Sequence, residues 1–182
     1  MLNIKTKLKP ITYYLLDHFI KVRHLVSDAT LHIQTISSTD YHITAGYYDI
    51  DPFDLDDKKL LAIRIKAQLG TPKPQSSAEV GFYKLKDNNL PFICVGKTES
   101  WNWQQGCRLR WYPNQNNQVI YNVCLDDHYG ALIQNLDSGK IIQKIDYPLY
   151  DIDLMGHFGL TLNFSRLQRL RPGYGYVNFD DV

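Results

Sequence analysis

The sequence predicts an all-β chain with an N-terminal amphipathic helix, the β part being a partial β-propeller of about two to three four-stranded antiparallel blades. A recurring segment carries this expectation. Tyr or Trp, Asp or Gln and a Pro or Gly turn run three times into an apolar strand: Tyr47-Tyr48-Asp49-Ile50-Asp51-Pro52 before Lys59-Leu60-Leu61-Ala62-Ile63, Trp103-Gln104-Gln105-Gly106-Cys107-Arg108-Leu109-Arg110-Trp111-Tyr112-Pro113 before Gln118-Val119-Ile120-Tyr121, and Pro148-Leu149-Tyr150-Asp151-Ile152-Asp153 before Phe158-Gly159-Leu160-Thr161-Leu162. The spacing agrees with this. Leu60 to Val119 is 59 positions and Val119 to Leu160 is 41, against about 40 to 50 for a blade. Gly70-Thr71-Pro72-Lys73-Pro74-Gln75-Ser76-Ser77 supplies the insertion that the longer interval needs.

Residues 8–26 place Leu8, Ile11, Leu15, Phe19, Val22 and Leu25 or Val26 three or four apart, the period of an amphipathic helix. Pro10 falls in the first turn, where no internal hydrogen bond is lost. Lys5, Lys7, Lys9, Lys21 and Arg23 outnumber Asp17 here. The helix therefore either touches an anionic membrane surface peripherally or covers the side of the β domain. The predicted boundaries are a helical segment at 1–28 and an incomplete propeller at 29–182.

Strand signals follow. Residues 31–36 and 79–85 alternate apolar and polar, 91–95 is a short apolar run behind the turn-forming Lys86-Asp87-Asn88-Asn89, and 131–145 reads as a hairpin turning at Ser138-Gly139. Only the N-terminal region argues for helix. Past Leu162 just 20 residues remain, too few for a third full blade. The expectation is a fragment of a longer propeller, with missing C-terminal blades, or an open array that self-associates through unpaired strand edges.

The chain has 182 residues, 44% of them hydrophobic, and a formal charge of +1. That is a globular composition without the overall positive field of a general nucleic-acid binder. Cys94, Cys107 and Cys124 lack paired metal or redox spacing and read as reduced thiols on buried strands. No apolar run is long enough to cross a bilayer and no cleavage site follows the N-terminal stretch, so the expected compartment is cytoplasmic.

In a propeller, the loop leading into each innermost strand and the connection between second and third strands open on one face. That geometry gathers Tyr48, Asp49, Trp101, Trp103, Gln104, Gln105, Tyr150, Asp151, Asn163, Arg166, Arg169, Arg171 and Tyr174 as candidate ligand-binding residues. Aromatic faces beside amides and carboxylates suit sugars, and arginine forks suit carboxylate or phosphate. The alternatives are structural. The three arginines would pair with Asp49, Asp151 and Asp153 to hold blades in register, and Trp101 and Trp103 would pack between blades. Asp126-Asp127-His128 reads as a metal or acid–base cluster or as a solvated turn. No phosphate loop, zinc-protease helix or serine-nucleophile elbow is present, and neither catalytic residues, metal nor cofactor are expected.

Ser100-Trp101-Asn102-Trp103-Gln104-Gln105-Gly106-Cys107-Arg108-Leu109-Arg110-Trp111, Val119-Ile120-Tyr121-Asn122, and Leu162-Asn163-Phe164-Ser165-Arg166-Leu167 with Arg171-Pro172-Gly173-Tyr174-Gly175-Tyr176 resemble the N-terminal half of poorly characterised bacterial propeller proteins. Those proteins are encoded among surface-polysaccharide and glycosyltransferase genes and are distantly similar to oligogalacturonate lyase-like and Tol-type propellers. The resemblance spans roughly residues 47–176 and implies a carbohydrate context. It transfers no catalytic residue. The expected function is a carbohydrate-associated binding or scaffold module, with an acidic oligosaccharide or sugar nucleotide as ligand. The alternatives are an incomplete part of a polysaccharide lyase or glycosyl-transferring enzyme and a protein–protein interaction propeller.

Overall fold

The structure, a computed structural model, describes residues 34–66, 70, 72–87, 89–115 and 117–179. The chain divides into two units, Met1–Ile36 and Ser37–Val182, and every described strand and helix belongs to the second. The helix expected over 8–26 lies outside the described residues. So does the start of the strand expected over 31–36, whose residues 34–36 carry no regular structure.

The described chain is mostly β. The first sheet runs β1 (His42–Thr44), β2 (Lys59–Ile65), β3 (Ala78–Lys84) and β4 (Phe92–Thr98) in sequential antiparallel order. The second repeats that order with β5 (Arg110–Trp111), β6 (Gln118–Cys124), β7 (Tyr129–Asn135) and β8 (Ile141–Ile145). A two-stranded antiparallel ladder of β9 (Asp151–Ile152) and β10 (Gly159–Leu160) follows, and then the helix α1 (Phe164–Leu170). The hairpin expected at Ser138-Gly139 joins β7 to β8, with Gly139 at φ 67°.

The apolar runs after the recurring turns are the second strand of each unit, and a short first strand precedes each. The sequence reading needs one correction: the residues after Leu162 form α1, where no helix was expected, because Asn163 caps it by accepting a hydrogen bond from the Arg166 N–H at 2.7 Å.

The hairpin turns set the true repeat. Asp54 N–H donates to Lys59 C=O, Tyr112 N–H to Gln118 C=O and Asp153 N–H to Phe158 C=O, at 3.1, 2.9 and 3.0 Å. Lys59, Gln118 and Phe158 are therefore equivalent, and two positions on so are Leu61, Ile120 and Leu160. In the first and third turns an aspartate holds the reversal. Asp54 accepts from Lys58 and Lys59 N–H, and Asp153 from Met155 and Phe158 N–H.

Packing follows the two-residue period of the strands. Leu61, Ile63 and Ile65 of β2 and Val80 and Phe82 of β3 meet Val119, Tyr121 and Val123 of β6 in one core. The opposite face of β6 sends Ile120, with Ala131 and Ile133 of β7, against Leu149 and Ile152. The middle sheet is thus buried on both faces, which accounts for the nearly unbroken apolar run of β6. Gly96 makes the close approach possible: a Cβ there would lie 2.5 Å from the Tyr121 hydroxyl.

One polar side chain interrupts this second interface. Asn122, fully buried, accepts from the Leu149 N–H at 2.7 Å and donates to the Leu149 carbonyl at 2.8 Å and the Tyr176 hydroxyl at 2.9 Å. It pins both the third unit and the C-terminal segment to β6. Tyr176 in turn stacks on Phe164 with 4.3 Å between centroids. Gly175 is required beside it, since a Cβ there would sit 2.0 Å from the Phe164 carbonyl oxygen.

Asn122→Ala leaves both backbone groups of Leu149 and the Tyr176 hydroxyl without their partner in a buried site, an expected loss of about 3 kcal/mol. Urea unfolding with an unchanged m-value checks it; a loss no larger than that of a surface substitution would show that the joint is dispensable.

Candidate functional site

In each unit the chain enters the first strand at the end where the second strand leaves for the third, as any sequential antiparallel sheet requires. Trp101 Nε1 donating to Ser76 C=O at 2.7 Å, and Trp103 Nε1 donating to Gly70 C=O, tie these two kinds of connection together. The turns between first and second strands lie at the other end, where Lys59 of the first unit donates to Asn117 and pairs with Asp137 of the second.

In the first unit the first strand is interrupted between its pairing at Thr44–Ile63 and at Phe53–Leu60, and this excursion carries Tyr47, Tyr48 and Asp49 to the incoming loop of the second unit. A buried cation organises this end. The Arg108 side chain has no exposed surface. Its guanidinium grips Asp49 through both terminal nitrogens, at 3.1 and 2.9 Å, and donates through Nε to the Tyr150 carbonyl at 2.9 Å. Gln105 Oε1 accepts at 3.4 Å, and the Tyr150 ring lies 4.5 Å from the guanidinium carbon. A bidentate carboxylate, two further acceptors and a π face satisfy a group that could not otherwise be buried. Arg108 itself stands at φ 56°, in the left-handed region, which turns its side chain inward.

Above this pair lies an open aromatic group. Tyr47 packs on Tyr48 with 4.2 Å between centroids and meets Tyr174 edge-on at 6.5 Å, while Tyr48 is 88% exposed. The Arg171 guanidinium covers the Tyr174 ring at 4.1 Å. Tyr174 is anchored through its carbonyl, which accepts from Asn102 Nδ2 at 3.0 Å and Gln105 Nε2 at 3.3 Å. Desolvation by its neighbours, followed by hydrogen bonding with Tyr48 and Tyr174, pushes the Tyr47 phenol up to about 12.

Six of the thirteen sequence candidates come together here: Tyr48, Asp49, Gln105, Tyr150, Arg171 and Tyr174. Gln104 is exposed on the same loop. Trp101 is only 1% exposed and belongs to the core, so its ring presents no open face for stacking; Trp103, half-buried, packs edge-on to it at 5.0 Å and to His42 at 5.5 Å. Asn163 caps α1, and Arg166 and Arg169 are exposed along that helix. Asp151 is on β9, bonded to Arg110.

The structural alternative for the three C-terminal arginines therefore needs correction. Asp49 is taken by Arg108, Asp151 by Arg110, and Asp153 by backbone N–H groups of its own turn. The residues missed are Arg108 and Arg110. Arg108 precedes β5 at positive φ while Arg110 opens it, so no strand alternation links the two in the sequence.

The remaining candidates resolve locally. Asp127 accepts a hydrogen bond from exposed His128 Nδ1 at 2.7 Å within the turn between β6 and β7, and that hydrogen bond raises the histidine and lowers the carboxylate. Among the described residues no three His, Cys, Asp or Glu side chains are grouped to hold a metal, and no helix is long and apolar enough to cross a membrane. The three thiols are free. Cys107 is in the core, where burial pushes it up to about 12, Cys124 is half-buried, and Cys94, against expectation, is exposed on β4.

At the turn end a cavity of about 660 Å³ opens among all three units, walled by Phe53, Trp111, Tyr112 and Leu154 with Asp51 and Asp153. Arg110 reaches it too. None of the thirteen candidates lines it.

Burial opposes the charge of Asp151 most strongly as a single influence, but the Arg110 hydrogen bond, the Ile152 N–H and the charges of Arg110 and Arg108 together hold its carboxyl below the usual range. A depressed folded value means that the pair stabilises the fold above the unfolded carboxylate pKa, with that contribution lost as pH falls through the folded one. Arg110→Met should thus lower the urea midpoint at pH 7 and converge on the parent at pH 2 to 3; a gap that stays constant with pH would remove the ion pair as its cause. Asp49→Ala, which leaves the Arg108 charge buried without its counterion, should cost about 3 kcal/mol in the same assay. No protein-family model matches the chain, and no curated protein or solved structure matches it.

Proposed function

We propose that the chain is an incomplete β-propeller, two blades and the opening strands of a third, that binds carbohydrate on its incoming-loop face as part of bacterial surface-polysaccharide metabolism. The two sequential four-stranded sheets packed face to face, with a third unit begun in the same register, support the propeller reading. The ligand reading rests on one observation, the exposed Tyr47, Tyr48 and Tyr174 group with the Arg171 guanidinium laid against it.

Tyrosine rings accept the C–H face of a pyranose, their hydroxyls and Gln104 take directed hydrogen bonds, and Arg171 supplies a fork for a uronate or phosphate. Asp49, two residues past Tyr47, is paired with Arg108, which offsets its repulsion of an acidic sugar. An acidic oligosaccharide or a sugar nucleotide is the ligand class that fits. The buried polar joint beneath keeps the loops preorganised, which limits the ordering cost of binding.

A second reading is favoured by the turn-end cavity. Its aromatic walls and carboxylates, Asp51, Asp54, Asp56 and Asp153 against Arg110, suit a neutral sugar and disfavour an acidic one.

The two are separated by calorimetric titration with oligogalacturonate and with a neutral oligosaccharide of equal length. Tyr48→Ala and Arg171→Ala should each weaken oligogalacturonate binding about tenfold, roughly the 1.4 kcal/mol of one lost ring or ion contact, with thermal midpoints unchanged. Loss of neutral-sugar binding in Phe53→Ala alone would transfer the function to the cavity, and no heat with either sugar would sink both readings.

A further inference from the structure

The equivalence Leu61, Ile120, Leu160 has a consequence for the third unit. Leu61 is buried between the first and second sheets and Ile120 between the second sheet and the third unit. Leu160, in the matching position, is 64% exposed, Phe158 beside it 78% and Leu162 39%. Leu160 closes β10, and Phe158 and Leu162 flank it two positions away on either side, the spacing of one face of an extended segment. Among the described residues, the interface that recurs twice along the chain is thus presented a third time without cover.

The edge of β10 is open as well. Phe158 and Leu160 carbonyls accept from Asp153 and Tyr150 N–H on the β9 side, so by alternation the backbone groups of Gly159 and Thr161 point away from β9. In the first two sheets the second strand pairs there with a third; here the chain turns into α1 instead. A two-stranded ladder is marginal by itself, and an uncovered apolar edge is a template for another strand.

We infer that two copies of the chain pair through β10, antiparallel across a two-fold axis at Leu160, to make one four-stranded sheet in the order β9, β10, partner β10, partner β9. Gly159 exchanges hydrogen bonds with the partner's Thr161, Leu160 stands opposite its own counterpart, and Phe158 opposes the partner's Leu162. Every cross-strand pair on that face is then apolar, and the sheet reaches the strand number of its two neighbours. The segment from Phe158 to Leu162 carries no charged residue, so nothing repels a second copy. A head-to-tail arrangement is disfavoured, because the outer face of the first sheet carries the Arg64–Glu79 ion pair, with Tyr41 and Phe92 already against the guanidinium at 4.0 and 4.4 Å. The isologous pairing is the self-complementary one.

This inference stands on the ladder and is independent of any glycan. Light scattering on the eluting full chain should give twice the 21.2 kDa of one copy at micromolar concentration. Leu160→Lys, which sets two ammonium groups face to face, should weaken the dimer at least tenfold, whereas Leu160→Cys in a Cys94→Ser background should form an intermolecular disulfide on mild oxidation. A parent chain that elutes as a monomer overturns the pairing; so does a dimer indifferent to Leu160→Lys, or the absence of cross-linking. Oligogalacturonate titration of the Leu160→Lys monomer reads the carbohydrate proposal separately, since the tyrosine group is not part of the paired edge.

Discussion

The burial of one guanidinium constrains the rest of this molecule. Arg108 has no contact with solvent, and its partners come from the loop before the second strand of the first unit, from its own loop, and from the start of the third unit. A charge removed from water is tolerable only if every donor is met, so the three segments cannot drift independently without exposing or orphaning it. Asn122 imposes the same condition one layer away by holding both backbone groups of Leu149. Apolar burial drives the sheets together, but it is non-directional; these two polar joints fix their register.

That constraint explains why the incoming-loop end can carry an exposed aromatic group at all. Tyr47, Tyr48 and Tyr174 belong to segments far apart in sequence, and loops of this kind would ordinarily give up their surface geometry to motion. Here Asp49 is two residues past Tyr47 and is locked to Arg108, while the carbonyl of Tyr174 is held by Asn102 and Gln105, the latter in contact with Arg108 too. Rigidity is transmitted from the buried pair to the rings through covalent neighbours and three hydrogen bonds.

Much of the β organisation was legible because burial writes a periodic pattern. Leu61, Ile63 and Ile65, and Val119, Tyr121 and Val123, announce strands by alternation, and Ser138-Gly139 announces its turn by the need for positive φ. The phase of the repeat was legible only in part: the 59 positions from Leu60 to Val119 match the backbone's Lys59 to Gln118, while the third copy, matched at Leu160, was set one position off. Tyr48-Asp49 and Tyr150-Asp151 look alike as words, yet the backbone matches Asp54 with Asp153, because what recurs is an aspartate side chain satisfying the N–H groups of a reversal. Reading by residue type selected the wrong pair of aspartates. The tryptophans show a related limit: spacing left stacking on a ligand and packing between blades both open, and Trp101 lies in the core with Trp103 packed against it. The helix α1 was hidden because seven residues are too few to display a period, and its start is decided by the single cap at Asn163.

The two ends of the β units are built by different chemistry. Turns between first and second strands use aspartates to satisfy reversing backbone, so Asp51, Asp54 and Asp153 accumulate where those turns converge. At the incoming-loop end Asp49 is taken by Arg108 and the Arg171 guanidinium, in the segment after α1, lies on the Tyr174 ring, while Asp126 and Asp127 stand exposed in the turn between β6 and β7. Where carboxylates gather is thus a by-product of turn chemistry: a side chain recruited to satisfy the N–H groups of a reversal brings its charge with it.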